Sequence, residues 1–358
     1  MLFSVVIPVR NERAQLEACL EALLSQDYRG DLEVIVVDGH STDGTPELLS
    51  RYPVRVIPDG GVGVGEARNR GIRAAEGDVV AFIDGDCLPD RGWLSALARR
   101  FRAEPGIAGV GGALRVGPEE WWLAAFEDWN AQGFYRGFIT SNVAYRRDVL
   151  LEAGGFDETL HCGEDWDLYW RIVGRGHRVV YDPAVVVTHV PVENQALGRY
   201  LRKQWWYAKS DVRCFARHLE RMRSGTARSR EADRSFLRVS HQAAVEAGCV
   251  TGLLAGALAR SPVVAGAALL GLVGWAARRT GRAIWDGLPA RDLPRHLATS
   301  VVKSAARGAG SLAGLATGVR DLLDGSSRAP SLPALQPPML LEGERRSSVW
   351  ESEKPSRQ

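Results

Sequence analysis

The run Gly77-Asp78-Val79-Val80-Ala81-Phe82-Ile83-Asp84-Gly85-Asp86-Cys87 constrains this chain more than any other stretch. The apolar residues Val79 to Ile83 have the length and composition of a strand buried on both faces. The strand closes on two carboxylates, Asp84 and Asp86, with one glycine between them. Side chains two apart on an extended segment point the same way, so both acids can face one bound object. Close carboxylates are costly in an apolar setting. A hard divalent cation, Mg²⁺ or Mn²⁺, relieves them and commonly brings a phosphate with it. The plainer alternative is a strand end capped by turn-forming Asp and Gly. The run alone leaves both readings open.

The preceding residues repeat the same pattern. Phe3 to Pro8 reads as a buried first strand, Val9-Arg10-Asn11-Glu12 as its loop, and Ala14 to Ser25 as a helix with Leu16, Leu20, Leu23 and Leu24 on one face. Leu32 to Val37 is a second strand, ending in the polar cluster Asp38 to Asp43, and Thr45-Pro46 starts a helix. Val54 to Ile57 is a third strand, followed by a glycine-rich link and a helix from Glu66 to Ala75. Strand–helix alternation with short links predicts a doubly wound α/β sheet. Ligands sit at the carboxyl ends of such strands, where Arg10 to Glu12, Asp38 to Asp43 and Asp84 to Asp86 all fall.

The glycine run Gly60-Gly61-Val62-Gly63-Val64-Gly65 does not complete a dinucleotide fingerprint, because Glu66 and Arg68 take the sixth places. A loop feeding a helix N-terminus near phosphate fits it better. A formal net charge of +2 in 358 residues argues against nucleic acid as a partner of the whole chain. The charge is unevenly spread, with a basic block from Arg199 to Arg238. Five cysteines without a CxxC pair point to a reducing compartment, with neither a disulfide framework nor a zinc site. Met1-Leu2-Phe3 runs straight into a strand pattern, so no secretory leader is expected.

These motifs carry a resemblance. Val5 to Glu12, Val36 to Thr45, Ala67-Arg68-Asn69-Arg70-Gly71 and Asp84-Gly85-Asp86 resemble the family 2 glycosyltransferases. Ser141 to Arg146, Gly154 to Glu158 and Gly163-Glu164-Asp165-Trp166-Asp167 continue the pattern in order, to about residue 192. The resemblance implies an inverting enzyme with a GT-A fold, a doubly wound mixed sheet. It implies that Pro8, Arg10, Glu12, Asp38 and Arg68 hold the base and ribose of a nucleotide-diphosphate sugar. Asp84 and Asp86 would meet the ribose and the divalent cation bridging the diphosphate, and Asp165 would be the general base. His189 resembles a downstream histidine that helps hold metal or diphosphate, and a polar strand-end residue is its other reading. Asn142, Glu164 and Trp166 would lie on the acceptor side.

The chemistry suits these residue types. Inversion at an anomeric carbon needs a base for the acceptor proton and neutralisation of the leaving group, tasks for a carboxylate and a divalent cation. Acids in a first helical turn also complement the helix dipole, which is the other reading of Glu164 and Asp167. The stripe Trp122, Phe126 and Trp129, with Trp121, reads as core packing or as an aromatic platform. Processive relatives carry Q-x-x-R-W after the base. Here Arg202-Lys203-Gln204-Trp205-Trp206 lacks that arginine, so transfer of one sugar per encounter is expected.

Beyond the basic block, Ala247 to Ala259 and Ser261 to Ala277 are uncharged, separated by Arg260. A spanning helix needs about 17–25 apolar residues, so one segment is short and the other marginal. Lys303 and Arg307, one turn apart, suggest an interfacial helix. The expected organisation is a catalytic domain over 1–198, a basic helical linker over 199–240, a membrane-associated helical region over 241–322 and a disordered tail over 323–358. The expected function is transfer to a lipid-linked or cell-envelope glycan acceptor by a catalytic domain on the cytoplasmic side of the cell membrane. Membrane lipids would be partners. A nucleotidyltransferase and a non-catalytic sugar-nucleotide-binding scaffold are the alternatives.

Overall fold

The computed structural model describes residues 1–116, 139–160, 162–190, 197–223, 230–285 and 293–323. Among them lie β1 (Phe3–Val9), β2 (Leu32–Asp38), β3 (Arg55–Pro58), β4 (Val79–Phe82), β5 (Cys87–Pro89), β6 (Ile107–Val116), β7 (Val143–Arg146) and β8 (Arg178–His189). They form one sheet of order β3-β2-β1-β4-β7-β6-β8-β5. The first four strands pair in parallel, whereas β7 runs antiparallel between β4 and β6. β6 and β8 are parallel and β5 is antiparallel to β8, so the sheet is mixed.

Helices α1 (Arg13–Leu24), α2 (Thr45–Leu49), α3 (Val64–Ala74), α4 (Trp93–Ala103), α5 (Arg147–Glu152) and α6 (Glu164–Gly174) connect and flank these strands. The period of two along β1 sorts its side chains between two cores. Phe3, Val5, Ile7 and Val9 pack with Leu16, Leu20 and Leu23 of α1 and with Trp93, Leu97 and Phe101 of α4. Val6 packs on the opposite face with Ile72 of α3 and with Trp166 and Trp170 of α6. Burial on both faces is why the strands read as unbroken apolar runs. A side chain at Gly71 would collide with Val6, so glycine lets α3 lie directly on β1.

The strands and helices expected up to Asp84 appear within two residues of their predicted ends. His189 closes the long β8, whose register against β6 shifts between Gly112 and Ala113. The Trp121, Trp122, Phe126 and Trp129 segment and the expected disordered tail beyond Leu323 lie outside the described residues.

Four long helices follow: α7 (Leu197–Arg223), α8 (Arg230–Leu258), α9 (Pro262–Trp285) and α10 (Leu293–Leu323). α10 runs along α7 and α8, α9 packs on α8, and α7 reaches α6 at the sheet. No helix among the described residues is long and apolar enough to cross a membrane. The interfacial reading of Lys303 and Arg307 is overturned. Their side of α10 turns inward, leaving the two residues only 3% and 2% exposed. The Arg307 guanidinium pairs with Asp211 of α7 at 2.8 Å and with Glu246 of α8 at 3.3 Å, while Ser304 Oγ donates to Glu246 at 3.2 Å. A 3.6-residue period shows that two side chains share a face. It does not show whether that face meets water, lipid or protein.

Candidate active site

The strand ends assemble the acid cluster. β1 delivers Glu12 through a loop in which Asn11 has φ 57°. Gly85 is a close-approach glycine, because a side chain there would strike the Glu12 carboxylate. Glu12 therefore lies against the turn carrying Asp84 and Asp86. Burial, then the charges of Asp86 and Asp84, raise its pKa to about 8. Its Oε2 is buried and has no hydrogen-bond partner among the described residues. Buried, crowded and unsatisfied oxygens are the donor set that a hard divalent cation relieves, so the residues present fit such an ion. Asp84, Asp86 and Cys87 offer ligand atoms within 4.8 Å of one another. Burial pushes the Cys87 thiol well up, keeping it protonated, and sulfur is a soft donor, so the carboxylates are the suitable ligands.

Asp86 is steadied from behind. Pairing of β5 with β8 sets Cys87 opposite His189, and His189 Nε2 lies 3.3 Å from Asp86 Oδ2. Burial works to raise the Asp86 pKa. The hydrogen bond and charge of His189, with Cys87 and Lys203, outweigh it and leave Asp86 below its usual value. The strand-end histidine thus meets the acid cluster through sheet pairing.

Arg68 of α3 links the two sides of the site. Its buried guanidinium donates to Asp84 Oδ1 at 2.9 Å and to Glu164 Oε1 at 2.7 Å. Glu164 and Asp165 open α6 after Gly163, whose φ of 78° favours glycine. The three acids of that first turn part ways. Asp167 pairs with Arg171, which also donates to the carbonyls of Ala153 and Gly155, so this acid anchors the helix to the chain before it. Glu164 is held by Arg68. Asp165 makes no ion pair among the described residues, and its Oδ1 accepts the Trp166 N–H at 2.8 Å. Burial, then the charge of Glu164, raise the Asp165 pKa to about 7. A carboxylate with that proton affinity suits general-base work near neutral pH.

One cavity of ≈ 320 Å³ brings Asp84, Asp86, His189, Arg68, Glu164 and Asp165 together, with Trp166 in its wall. That volume falls within the range of small-ligand sites. Asp38, at the end of β2, accepts from the Ser41 N–H at 3.3 Å. The Thr42 N–H donates to Asn11 Oδ1 at 2.8 Å, tying the β2 loop to the β1 loop that carries exposed Arg10, just past half-buried Pro8 in β1. Pro8, Arg10, Glu12 and Asp38 therefore stand at the adjoining carboxyl ends of β1 and β2, outside the lining of that cavity.

Asn142 departs from its expected place. Its amide is buried, with Oδ1 accepting from Trp93 Nε1 at 2.8 Å and Nδ2 donating to Ala113 O at 2.8 Å and Val185 O at 3.0 Å. It pins β6 and β8 to α4, and its neighbours Thr140 and Ser141 line the cavity. Sequence reasoning also missed the outer wall, built by Lys203, Gln204, Tyr207 and Asp211 of α7 and Lys303 of α10. The signal was present as spacing. Lys203, Tyr207 and Asp211 recur every four residues on one helical face.

Comparisons with known proteins find glycosyltransferases. The profile of Glycosyl transferase family 2 matches residues 4–150. Glycosyltransferase AglE of Haloferax volcanii is 30% identical over 224 residues, covering 58% of this chain and 72% of that protein. The pre-mycofactocin glycosyltransferase of Mycobacterium tuberculosis is 31% identical over 241 residues. That match covers 60% of this chain and 48% of the relative, so the chain spans about half its length. Among solved structures, the mannosyltransferase PcManGT from Pyrobaculum calidifontis, in complex with GDP-Man and Mn²⁺, superposes with a TM-score of 0.60 at 22% identity. It covers 87% of this chain and 86% of that one, more than the sheet alone can supply, so the likeness of fold extends into the C-terminal helices.

Proposed function

We propose, because this chain belongs to glycosyl transferase family 2 and is a glycosyltransferase, that it transfers a single sugar, with inversion, from a nucleotide-diphosphate sugar to an acceptor hydroxyl. The observation that carries this reading is the Arg68 bridge. It holds Asp84 of the strand-end cluster and Glu164, the neighbour of Asp165, on one guanidinium, so donor and base sides face one cavity.

Asp165 takes the proton of the acceptor hydroxyl as its oxygen bonds to the anomeric carbon and the bond to the diphosphate oxygen breaks. Arg68 holds Glu164 in an ion pair and Arg171 holds Asp167, leaving Asp165 as the base of the first turn. Mg²⁺ or Mn²⁺, when bound, would neutralise the charge developing on the leaving diphosphate. Asp84 and Asp86 would hold it, with His189 behind Asp86. The archaeal mannosyltransferase of like fold holds GDP-Man together with Mn²⁺, which supports a sugar nucleotide and a divalent cation here. Pro8, Arg10, Glu12 and Asp38 would hold base and ribose at the ends of β1 and β2. Thr140, Ser141, Glu164 and Trp166 would face the acceptor.

Lys203 and Lys303 in the outer wall suit a substrate phosphate. They support a lipid-linked or envelope-glycan acceptor carrying phosphate, met by a catalytic domain on the cytoplasmic side of the cell membrane. In this proposal residues 1–198 form the catalytic domain, 199–240 the basic helical linker and 241–322 the membrane-associated region.

A screen of nucleotide-sugars for metal-dependent release of nucleoside diphosphate tests the reading, with Asp165→Asn as control. Release that requires Mn²⁺ or Mg²⁺ and fails in the variant is expected. An Asp165→Asn protein that turns over donor and acceptor like the parent contradicts the assignment of the base.

A further inference from the structure

The hairpin of α8 and α9 is built inside out for a part surrounded by water. Its seam is made of small residues. A side chain at Gly252 would come within 2.9 Å of the Ala268 side chain, and one at Gly256 would strike the backbone of Ala265. Most of its large aliphatic residues point away from the seam: Leu258 is 86% exposed, Val263 79% and Leu270 74%, and Leu254, Leu269 and Val273 are exposed as well. At 100° per residue, the exposed apolar positions of α9 spread over more than half its circumference, with Leu272 and Ala276 facing inward. Small residues inside and large apolar residues outside is the arrangement of helices that pack within lipid.

The hairpin's tip is closed in a defined way. The Ser261 N–H donates to Gly256 O at 2.8 Å and the Arg260 N–H to Ala257 O at 3.2 Å, the paired bonds of a Schellman turn. Arg260 takes the left-handed position at φ 50°, where glycine is usual. From Ala247 to Trp285 the chain carries four arginines, Arg260, Arg278, Arg279 and Arg282, and no acidic residue. Arg278 lies over the Trp275 ring, 5.4 Å from its centroid, at the base of the apolar stretch. A cation and an indole at that place suit the headgroup level of a membrane.

We infer that the α8–α9 hairpin is a monotopic membrane anchor. It lies in one leaflet of an anionic bilayer with its long axis near the membrane plane, and Arg260 at the tip and Arg278 at the base meet lipid phosphates. The apolar part of α9, sixteen residues from Pro262 to Ala277, is about 24 Å long at about 1.5 Å per residue. That is short of a hydrocarbon core of about 30 Å, and an upright hairpin would strand Arg260 within it. Lying in the plane places both arginines at phosphate. A single protein partner would cover one side of α9, whereas lipid covers the whole exposed arc. The inference deepens the membrane-side reading above, and it depends on helix packing and charge, independent of the sugar chemistry.

Flotation of the full chain with vesicles tests it, using phosphatidylcholine alone and phosphatidylcholine with an equal part of phosphatidylglycerol. The parent should float with the anionic vesicles and less with the neutral ones. The double variant Leu258→Glu with Leu270→Glu changes two outward side chains, and its partition should fall about tenfold or more while its circular dichroism stays that of the parent. Release of nucleoside diphosphate from donor should be equal in the two proteins, so a failure of the sugar-transfer reading shows separately from a failure of the anchor. The inference is overturned if the parent stays unbound with both vesicles, or if the folded double variant floats as well as the parent. It is also overturned if light scattering finds the parent self-associated without lipid and the double variant monomeric.

Discussion

The two walls of the cavity are made in different ways. The inner wall comes from strand ends: Asp84 and Asp86 in the turn between β4 and β5 meet His189 at the end of β8 because β5 pairs with β8, and Glu12 packs against that turn from outside the lining. The outer wall comes from helices that contribute nothing to the sheet. Lys203 and Tyr207 of α7 and Lys303 of α10 stand in the cavity because Arg307 locks α10 to Asp211 and Glu246. The inner wall gathers negative charge and the outer wall answers with lysines. A sheet positions chemistry by local rules, whereas the helical wall depends on one buried ionic clamp between segments far apart in sequence.

Substitutions on the two walls should therefore fail differently. The largest effect is expected on the inner side of the cleft. Asp165→Asn should lower kcat by about 10²–10⁴-fold with the donor KM nearly kept, the range for losing a general base. A loss below tenfold in a steady-state assay would move the base elsewhere. Next is the clamp. Arg307→Met leaves Asp211 and Glu246 as buried acids facing each other and should destabilise the protein by about 3–5 kcal/mol, read by chemical or thermal denaturation. If the walls are as distinct as described, the sheet keeps its signal while the helical part melts early. One unshifted transition would show that the clamp does not hold the wall.

A smaller effect is expected from Lys303→Met, about tenfold in kcat/KM and carried mainly by KM, as for one charge-assisted contact of about 1.5–3 kcal/mol discounted for solvent. An equal fall in kcat with KM unchanged would assign this lysine to the chemical step. Smallest within the neutral range is the response to pH. Burial and Glu164 hold the Asp165 pKa up at about 7, and the proposed base would work only as carboxylate. Thus kcat/KM should fall about tenfold per pH unit below that value and level off above it. A profile flat from pH 5 to 8, or one unchanged in Asp165→Asn, would detach the titration from this residue.

The same contrast explains what could be read in advance. Val79 to Ile83 was legible as a strand because burial on both faces leaves a continuous apolar run, and Asp84-Gly85-Asp86 because a period of two puts both acids on one side. The Thr45-Pro46 start and the Leu16, Leu20, Leu23 stripe were legible for similar local reasons. Asn142 was misplaced because its motif sits beside the cavity, while the shifted pairing of β6 with β8 presents the Ala113 and Val185 carbonyls to its amide. Lys303 and Arg307 were misread because helical spacing names a face without naming its neighbour. Glu12 was singled out by the resemblance, but its burial beneath Gly85 depends on how two loops meet, which no single segment encodes.

The central claim is that Asp84 and Asp86 share one cavity with Asp165 and that the pair is a cation site. A crystal structure of the full chain with Mn²⁺ and a nucleoside diphosphate, with the manganese located by anomalous scattering, tests both parts at once. The account predicts one peak at carboxylate distance, about 2.0–2.2 Å, from Asp86 or Asp84, touching the diphosphate, with Asp165 open to the same cavity. Manganese bound away from both acids, or Asp165 closed off from the diphosphate, would contradict it.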